Sequence, residues 1–508
     1  MIPQNLMMYI VDYKFNLRFY VREILYFLAA TFIAVGLNYS FSDDGLRHLA
    51  FAQHHDIMKS WGQAYPNSLF SNYDLWGSWH LFLEWVISIS SFEYAHIIVN
   101  IISLFILMSL MDQLFQIELK KYKNTIPMIV VILLTVVYAR YINIRPDLLS
   151  GFFIMLIYIF FRKYQEKELY FLFGLFLISV LYSSTYYLFF VYTLMLSMYF
   201  FIVSNYKATL VLLAATLFSF CCYYLFHGYD YFQYIYYVLI DSSLRQGALV
   251  GEGLPLLKIL AIVDVKYQIA FYLLVVLILK IKFNNFLKTH LLFSLLLASS
   301  LLWIGQMRYT QLLYPVFSVI FVSSFLNITK NSLYRLLRKL QFFYIKFSRG
   351  MQRSNKNIAF IIIFTIFISF EMGVSLKNIY AGKMNSIQNV NQLLNDFNIT
   401  TEKILFTSLD EISYQSLYTH PEIKEVPSCS IGWFSGSSRE KELYFKMIKK
   451  RITAEELSEL AILLKVDFII LEMPVSENNI FNLKYFNENG FKILNSYGEN
   501  ILISVLKY

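Results

Sequence analysis

Charge is scarce in this chain. Asp, Glu, Lys and Arg make up only 15% of its 508 residues, against about 25% in soluble domains. An ordinary water-facing surface is therefore excluded for most of its length, and the 57% hydrophobic content points to a polytopic membrane protein. Three cysteines exclude a disulfide-built scaffold. Cys221 and Cys222 share an apolar stretch and Cys429 stands alone, so no bridge is expected. Glycine and proline are few while Tyr (40) and Phe (48) are abundant, a usage associated with AT-rich bacterial genomes. The first 23 residues lack the basic start, short apolar core and small-residue cleavage site of a signal peptide. The first hydrophobic run is therefore expected to remain as a helix.

What is present is a series of apolar runs punctuated by charge. About eleven come near the ~20 residues a bilayer needs: 24–40, 94–115, 126–140, 147–161, 169–182, 186–203, 209–226, 267–282, 289–304, 309–327 and 358–373. Lys14, Arg18 and Arg22 precede the first run and place the N-terminus in the cytoplasm. Alternate loops then carry the basic residues, from Lys120, Lys121 and Lys123 to the eight of residues 328–357. The net charge of +9 accordingly reads as positive-inside orientation and contact with anionic lipid, with no nucleic-acid partner. Asp264 and Lys266 interrupt one further run, 254–266, which reads as re-entrant or interfacial.

An odd number of spans puts the C-terminus outside the cytoplasm, and residues 374–508 change character there. KILFTSL and VDFIILEM read as strands, and FKILNSY and NILISVL as a closing strand pair around Gly498. TAEELSELAILLK is an amphipathic helix opened by a capping box, Thr453 with Glu456. The expected architecture is an α-helical membrane bundle over 1–373 and a small extracytoplasmic α/β domain over 374–508.

Two acids stand out. Asp43 and Asp44 follow the first apolar run directly, with Arg47 and His48 within a turn of them. A carboxylate at the edge of hydrocarbon needs water, a partner or a task. The pair opens a long outer loop, 41–93, that contains HLAFAQHHDIMKSWGQ, a candidate surface-lying helix, and the aromatic SNYDLWGSWHLFLEWV.

A first span, an acidic pair at its outer end and a long loop with surface helices resemble the GT-C class of membrane glycosyltransferases. That superfamily includes the dolichyl-phosphate-mannose protein mannosyltransferases and the aminoarabinose transferases. YDLWGSWHLFLEW resembles the loop's return to the membrane, YINIRPDLLSG the Arg-Pro-acid turn between the third and fourth spans, and MRYTQLLYPVF the Arg-Tyr element of a late span. The resemblance covers the whole chain in architecture, and its motifs are short. It implies inverting sugar transfer from a polyprenyl-phosphate carrier to a glycan, lipid or protein acceptor, at the outer face of a bacterial inner membrane.

The residue types suit that chemistry. A carboxylate can take the acceptor's proton, and arginines can stabilise the phosphate that leaves. By the resemblance, Asp43 or Asp44 is the base, Arg145, Arg308 and Arg47 contact the donor phosphate, and His48, Asp74, Asp147 and Tyr309 contact substrate. Plainer readings stand beside these. Either Asp can cap the loop helix, Asp44 can hold His48 one turn on, Arg145 can pair with Asp147, and Arg308 can snorkel to the interface. His48, His54, His55 and His80 invite a divalent metal, but no ligand spacing supports one and no cofactor is assigned. A transporter or flippase of lipid-linked saccharide is the rival class, and a polysaccharide polymerase or ligase a further alternative. The chain shows no internal halves of the kind transporters carry.

Overall fold

The computed structural model describes residues 22–35, 45–54, 76–118, 144–146, 148–164, 166–202, 204–229, 389–399, 402–407, 422–426, 436–448, 451–472, 491–497 and 500–505, with a few isolated positions between them. The described chain is mostly helical. Its first part contains α1 (22–35), α2 (Gly45–Gln53), α3 (Gly77–Ile89), α4 (Phe92–Glu118), α5 (Leu148–Tyr164), α6 (Glu168–Ser183), α7 (Phe189–Ile202) and α8 (Tyr206–His227). Within these, Tyr94–Ile117 and Tyr206–His227 are long and apolar enough to cross a membrane. α4 has 27 residues, about 40 Å at 1.5 Å per residue, against about 30 Å of hydrocarbon.

Six of the expected spans fall on described helices: 24–40 in part on α1, and five more on α4 through α8. The spans at 126–140, 267–282, 289–304, 309–327 and 358–373 lie wholly or almost wholly outside the described residues.

The helices bury an apolar core and also expose apolar stripes. Leu169, Phe173, Leu177 and Leu181, every fourth residue of α6, are all exposed, Leu169 at 80%. Leu210, Leu213, Leu217 and Tyr224 are exposed along α8. Hydroxyls sit in the seams among the buried apolar side chains. Thr216 donates to Thr193 at 2.9 Å, Thr209 to the Ser197 carbonyl at 3.3 Å, and Tyr223 to the Ser183 carbonyl at 2.8 Å. Small residues and hydroxyls in the seams let helices approach closely, and leucines on the outer faces suit lipid. Gly174 serves the same purpose. A Cβ on it would lie 2.2 Å from the Phe160 ring, so any larger residue would push that ring aside.

The two ends of the bundle differ. At one end, Tyr26 donates to Asp112 at 2.9 Å, Arg22 approaches the same carboxylate at 3.5 Å, and Gln116 donates to it as well. Lys163 donates to Gln113 at 3.0 Å and Lys207 pairs with Glu168 at 2.9 Å nearby in the helix order. At the other end, Gly45 meets Ile144 and Trp76 meets Tyr187.

The C-terminal part is a five-stranded sheet. β1 (Lys403–Phe406), β2 (Lys424–Val426), β3 (Phe468–Glu472), β4 (Phe491–Tyr497) and β5 (Asn500–Val505) run in the order β2-β1-β3-β5-β4. β1 is parallel to β2 and β3, whereas β5 is antiparallel to β3 and β4. Period-two alternation sorts the side chains onto two faces. Leu405, Ile469, Leu471, Ile501 and Ile503 pack with α10 (Ser438–Ile448) and α11 (Ala454–Leu463). Ile404, Phe406, Ile470 and Leu502 are buried in the other cluster, which includes Val390, Leu393 and Leu394 of α9 (389–396). The capping box of α11 is present, with Thr453 accepting from the Glu456 N–H and Glu456 accepting from the Thr453 N–H.

Candidate functional site

Gly45 opens α2 against the turn that precedes α5. A Cβ on Gly45 would lie 2.8 Å from the Ile144 Cβ and 3.0 Å from the Ile144 nitrogen. The start of the long loop therefore abuts the Ile144–Arg145–Pro146 turn. Glycine is needed here for close approach, since any side chain would meet backbone.

α2 is enclosed on every side, and Arg47, His48, Leu49, Ala50, Phe51 and Ala52 are all buried. Its partner is α3, which begins at Gly77 with Trp76 as its capping residue. The amides of Trp79 and His80 both donate to the Trp76 carbonyl. The i, i+4 spacing then brings Trp76 and His80 onto one side of α3. His48 and His80 meet through Nδ1 and Nε2 at 2.7 Å. The Phe51 ring lies 4.6 Å from the His80 ring. The Arg47 guanidinium carbon is 5.7 Å from the Trp76 ring centroid, within cation–π range. Tyr187 meets Trp76 edge-on at 5.6 Å, which ties the turn between α6 and α7 to the same cluster.

Among the described residues the site brings together a buried arginine, two histidines and aromatic rings. A guanidinium in such surroundings acts on a nearby anion far more strongly than one in water. The histidine pair shares one hydrogen between two nitrogens, so it cannot be doubly protonated in this geometry. Burial, then the neighbouring His80 and Arg47, push the His48 imidazole well below its usual range.

A pH dependence follows. His48 is neutral in the folded protein, whereas the unfolded chain takes up a proton near pH 6.5. Its contribution to stability is complete above about pH 6.5 and is lost as pH falls through that value toward the depressed folded one. Thermal unfolding in detergent at about pH 7.5 and about pH 5.5 should show a larger fall for the wild type than for His48→Asn. Equal falls would remove His48 from the account.

Of the residues expected from sequence, Arg47, His48 and Arg145 are described. Arg47 and His48 share one cluster, and half-buried Arg145 lies in the turn that Gly45 touches. His48 uses its Nδ1 on His80. Asp43, Asp44, Asp74, Asp147, Arg308 and Tyr309 lie outside the described residues. The sequence raises His80 only as a possible metal ligand and Trp76 not at all, and the signal that joins them is their four-residue spacing in WGSWH. Among the described residues no group of three metal-ligating side chains converges.

No protein-family model matches this chain, nor does any curated protein. Function is accordingly argued from the chemistry of the site.

Proposed function

We propose that the protein is an integral membrane glycosyltransferase that moves a sugar from a polyprenyl-phosphate carrier to an acceptor outside the cytoplasm. The observation that carries this reading is the contact between Gly45 and Ile144. Asp44 precedes Gly45 in the chain and Arg145 follows Ile144, so an acid-bearing and an arginine-bearing segment adjoin. In the proposed reaction Asp43 or Asp44 takes the acceptor's proton as its oxygen or nitrogen bonds to the anomeric carbon. The bond from that carbon to the phosphate oxygen breaks on the opposite face, with inversion. Polyprenyl phosphate leaves with the electron pair, opposite the positive charge of Arg145, Arg47 and Arg308.

The bundle's surface supports a bilayer setting. Exposed leucine stripes on α6 and α8 suit lipid, and the basic residues Arg22, Arg162, Lys163 and Lys207 belong to the ends away from Gly45 and Tyr187. In this reading the chain has about eleven spans, a cytoplasmic N-terminus, and an outer α/β domain that binds acceptor or caps the site. The acceptor is a glycan, a lipid or a protein.

The test is turnover. Purified full-length protein with a polyprenyl-phosphate sugar and a mixed acceptor fraction should release polyprenyl phosphate. Movement of intact donor across proteoliposomes, with no bond cleaved, would instead identify a flippase.

A further inference from the structure

Far from the Gly45 end, the last turns of α4 and α5 form a cleft of about 260 Å³ lined by Gln113, Gln116, Ile117, Arg162 and Lys163. Two cations and two amides face one another there, and no acid belongs to the wall among the described residues. Asp112, which precedes Gln113, is buried at 1% and held by Tyr26, Arg22 and Gln116. Lys163 and Gln113 are already oriented across the cleft by their 3.0 Å hydrogen bond. Ligand pockets for larger organic molecules run from about 300 Å³, so this cleft suits a small anionic group. Arginine offers such a group a planar fork and lysine a point charge.

The surface beyond the cleft selects the kind of anion. Ile106 lies two turns before Gln113 on α4, and Leu156 two turns before Lys163 on α5. Both are exposed apolar side chains in line with the cleft. An anion with an apolar tail finds a polar seat and an apolar track in series, whereas free phosphate would use only the seat.

We propose that this cleft binds the phosphate of an anionic phospholipid, with its acyl chains along Ile106 and Leu156. The site stands apart from the proposed sugar-transfer site and does not depend on it.

The experiment uses full-length protein in detergent, titrated with phosphatidylglycerol and followed by native mass spectrometry. Each cation near a membrane surface is worth about a fivefold change in affinity. Arg162→Gln with Lys163→Gln should weaken phosphatidylglycerol binding about 25-fold. The exposed Lys163→Gln alone, where folding is not at risk, should give about fivefold. Lys207→Gln, outside the cleft, should bind as wild type does. Phosphatidylcholine should bind at least tenfold more weakly than phosphatidylglycerol, by roughly the same electrostatic increments. Equal binding of the two lipids, full competition by inorganic phosphate, or an equal loss in Lys207→Gln would each overturn the proposal.

Discussion

Replacing Asp43 and Asp44 together by asparagine is expected to lower sugar transfer by about 10²- to 10⁴-fold, the range a positioned general base contributes. Asparagine keeps the size and the hydrogen-bonding reach of each side chain and removes only the ability to accept the acceptor's proton. Binding of donor should therefore change little, and the loss should appear in kcat. The single variants separate the roles. The variant at the base loses nearly the whole effect, while the other loses the smaller part that comes from orienting the acceptor. Asp43 stands nearer the first span, and Asp44 adjoins Gly45, which rests on Ile144. Full turnover in both single variants and the double variant would remove the carboxylates from the reaction and leave the arginines to be explained as structural.

Gly45→Val is expected to be the most damaging single change away from a charged group. The new Cβ would fall 2.8 Å from the Ile144 Cβ, 3.0 Å from its nitrogen and 3.2 Å from its Cα. Two of those three atoms are backbone, so no rotamer change relieves the clash, and α2 or the 144–146 turn must move. Overpacking of this kind costs about 1–3 kcal/mol, which thermal unfolding in detergent should register. A displacement of about 1 Å between the segments would also lower turnover by about 10²-fold. Loss of turnover beyond what the lost stability explains would tie the contact to the reaction. A stable and fully active Gly45→Val would show that the acid- and arginine-bearing segments need no fixed separation.

Much of the fold was legible because helices and strands are written in local periodicity. The apolar runs at 94–115, 147–161, 169–182, 186–203 and 209–226 became α4 through α8 to within a few residues, since a sustained apolar run favours a helix, and α4 and α8 reach membrane-crossing length. FKILNSY and NILISVL became β4 and β5, and the Thr453–Glu456 box opened α11, because turn and cap chemistry acts over three or four residues. Where local signals conflicted, elements escaped notice. α3 is crowded with tryptophan and phenylalanine and starts without a side-chain cap, so its sequence reads as an interfacial stretch. α10 follows a glycine- and serine-rich loop that masks its start.

The candidate site was legible only in its parts. An acid pair at the end of an apolar run and an Arg-Pro turn before another are visible by inspection, because each is a local violation of hydrophobicity. That His48 meets His80, 32 positions away, was not. Sequence spacing carries no information about which of several apolar faces will pack, since that choice depends on the shapes of all the helices together.

The chain's composition and periodicity by themselves determined that much of it forms apolar helices, two of them long enough to cross a membrane, and that its last residues form strands and capped helices. Burial in hydrocarbon and backbone hydrogen bonding enforce those outcomes locally. Only the tertiary structure decided that Gly45 closes on Ile144, that Arg47 lies over Trp76, and that two histidines share a hydrogen. Those contacts join residues 29 to 99 positions apart, and close packing between helices, rather than any local preference, selects them.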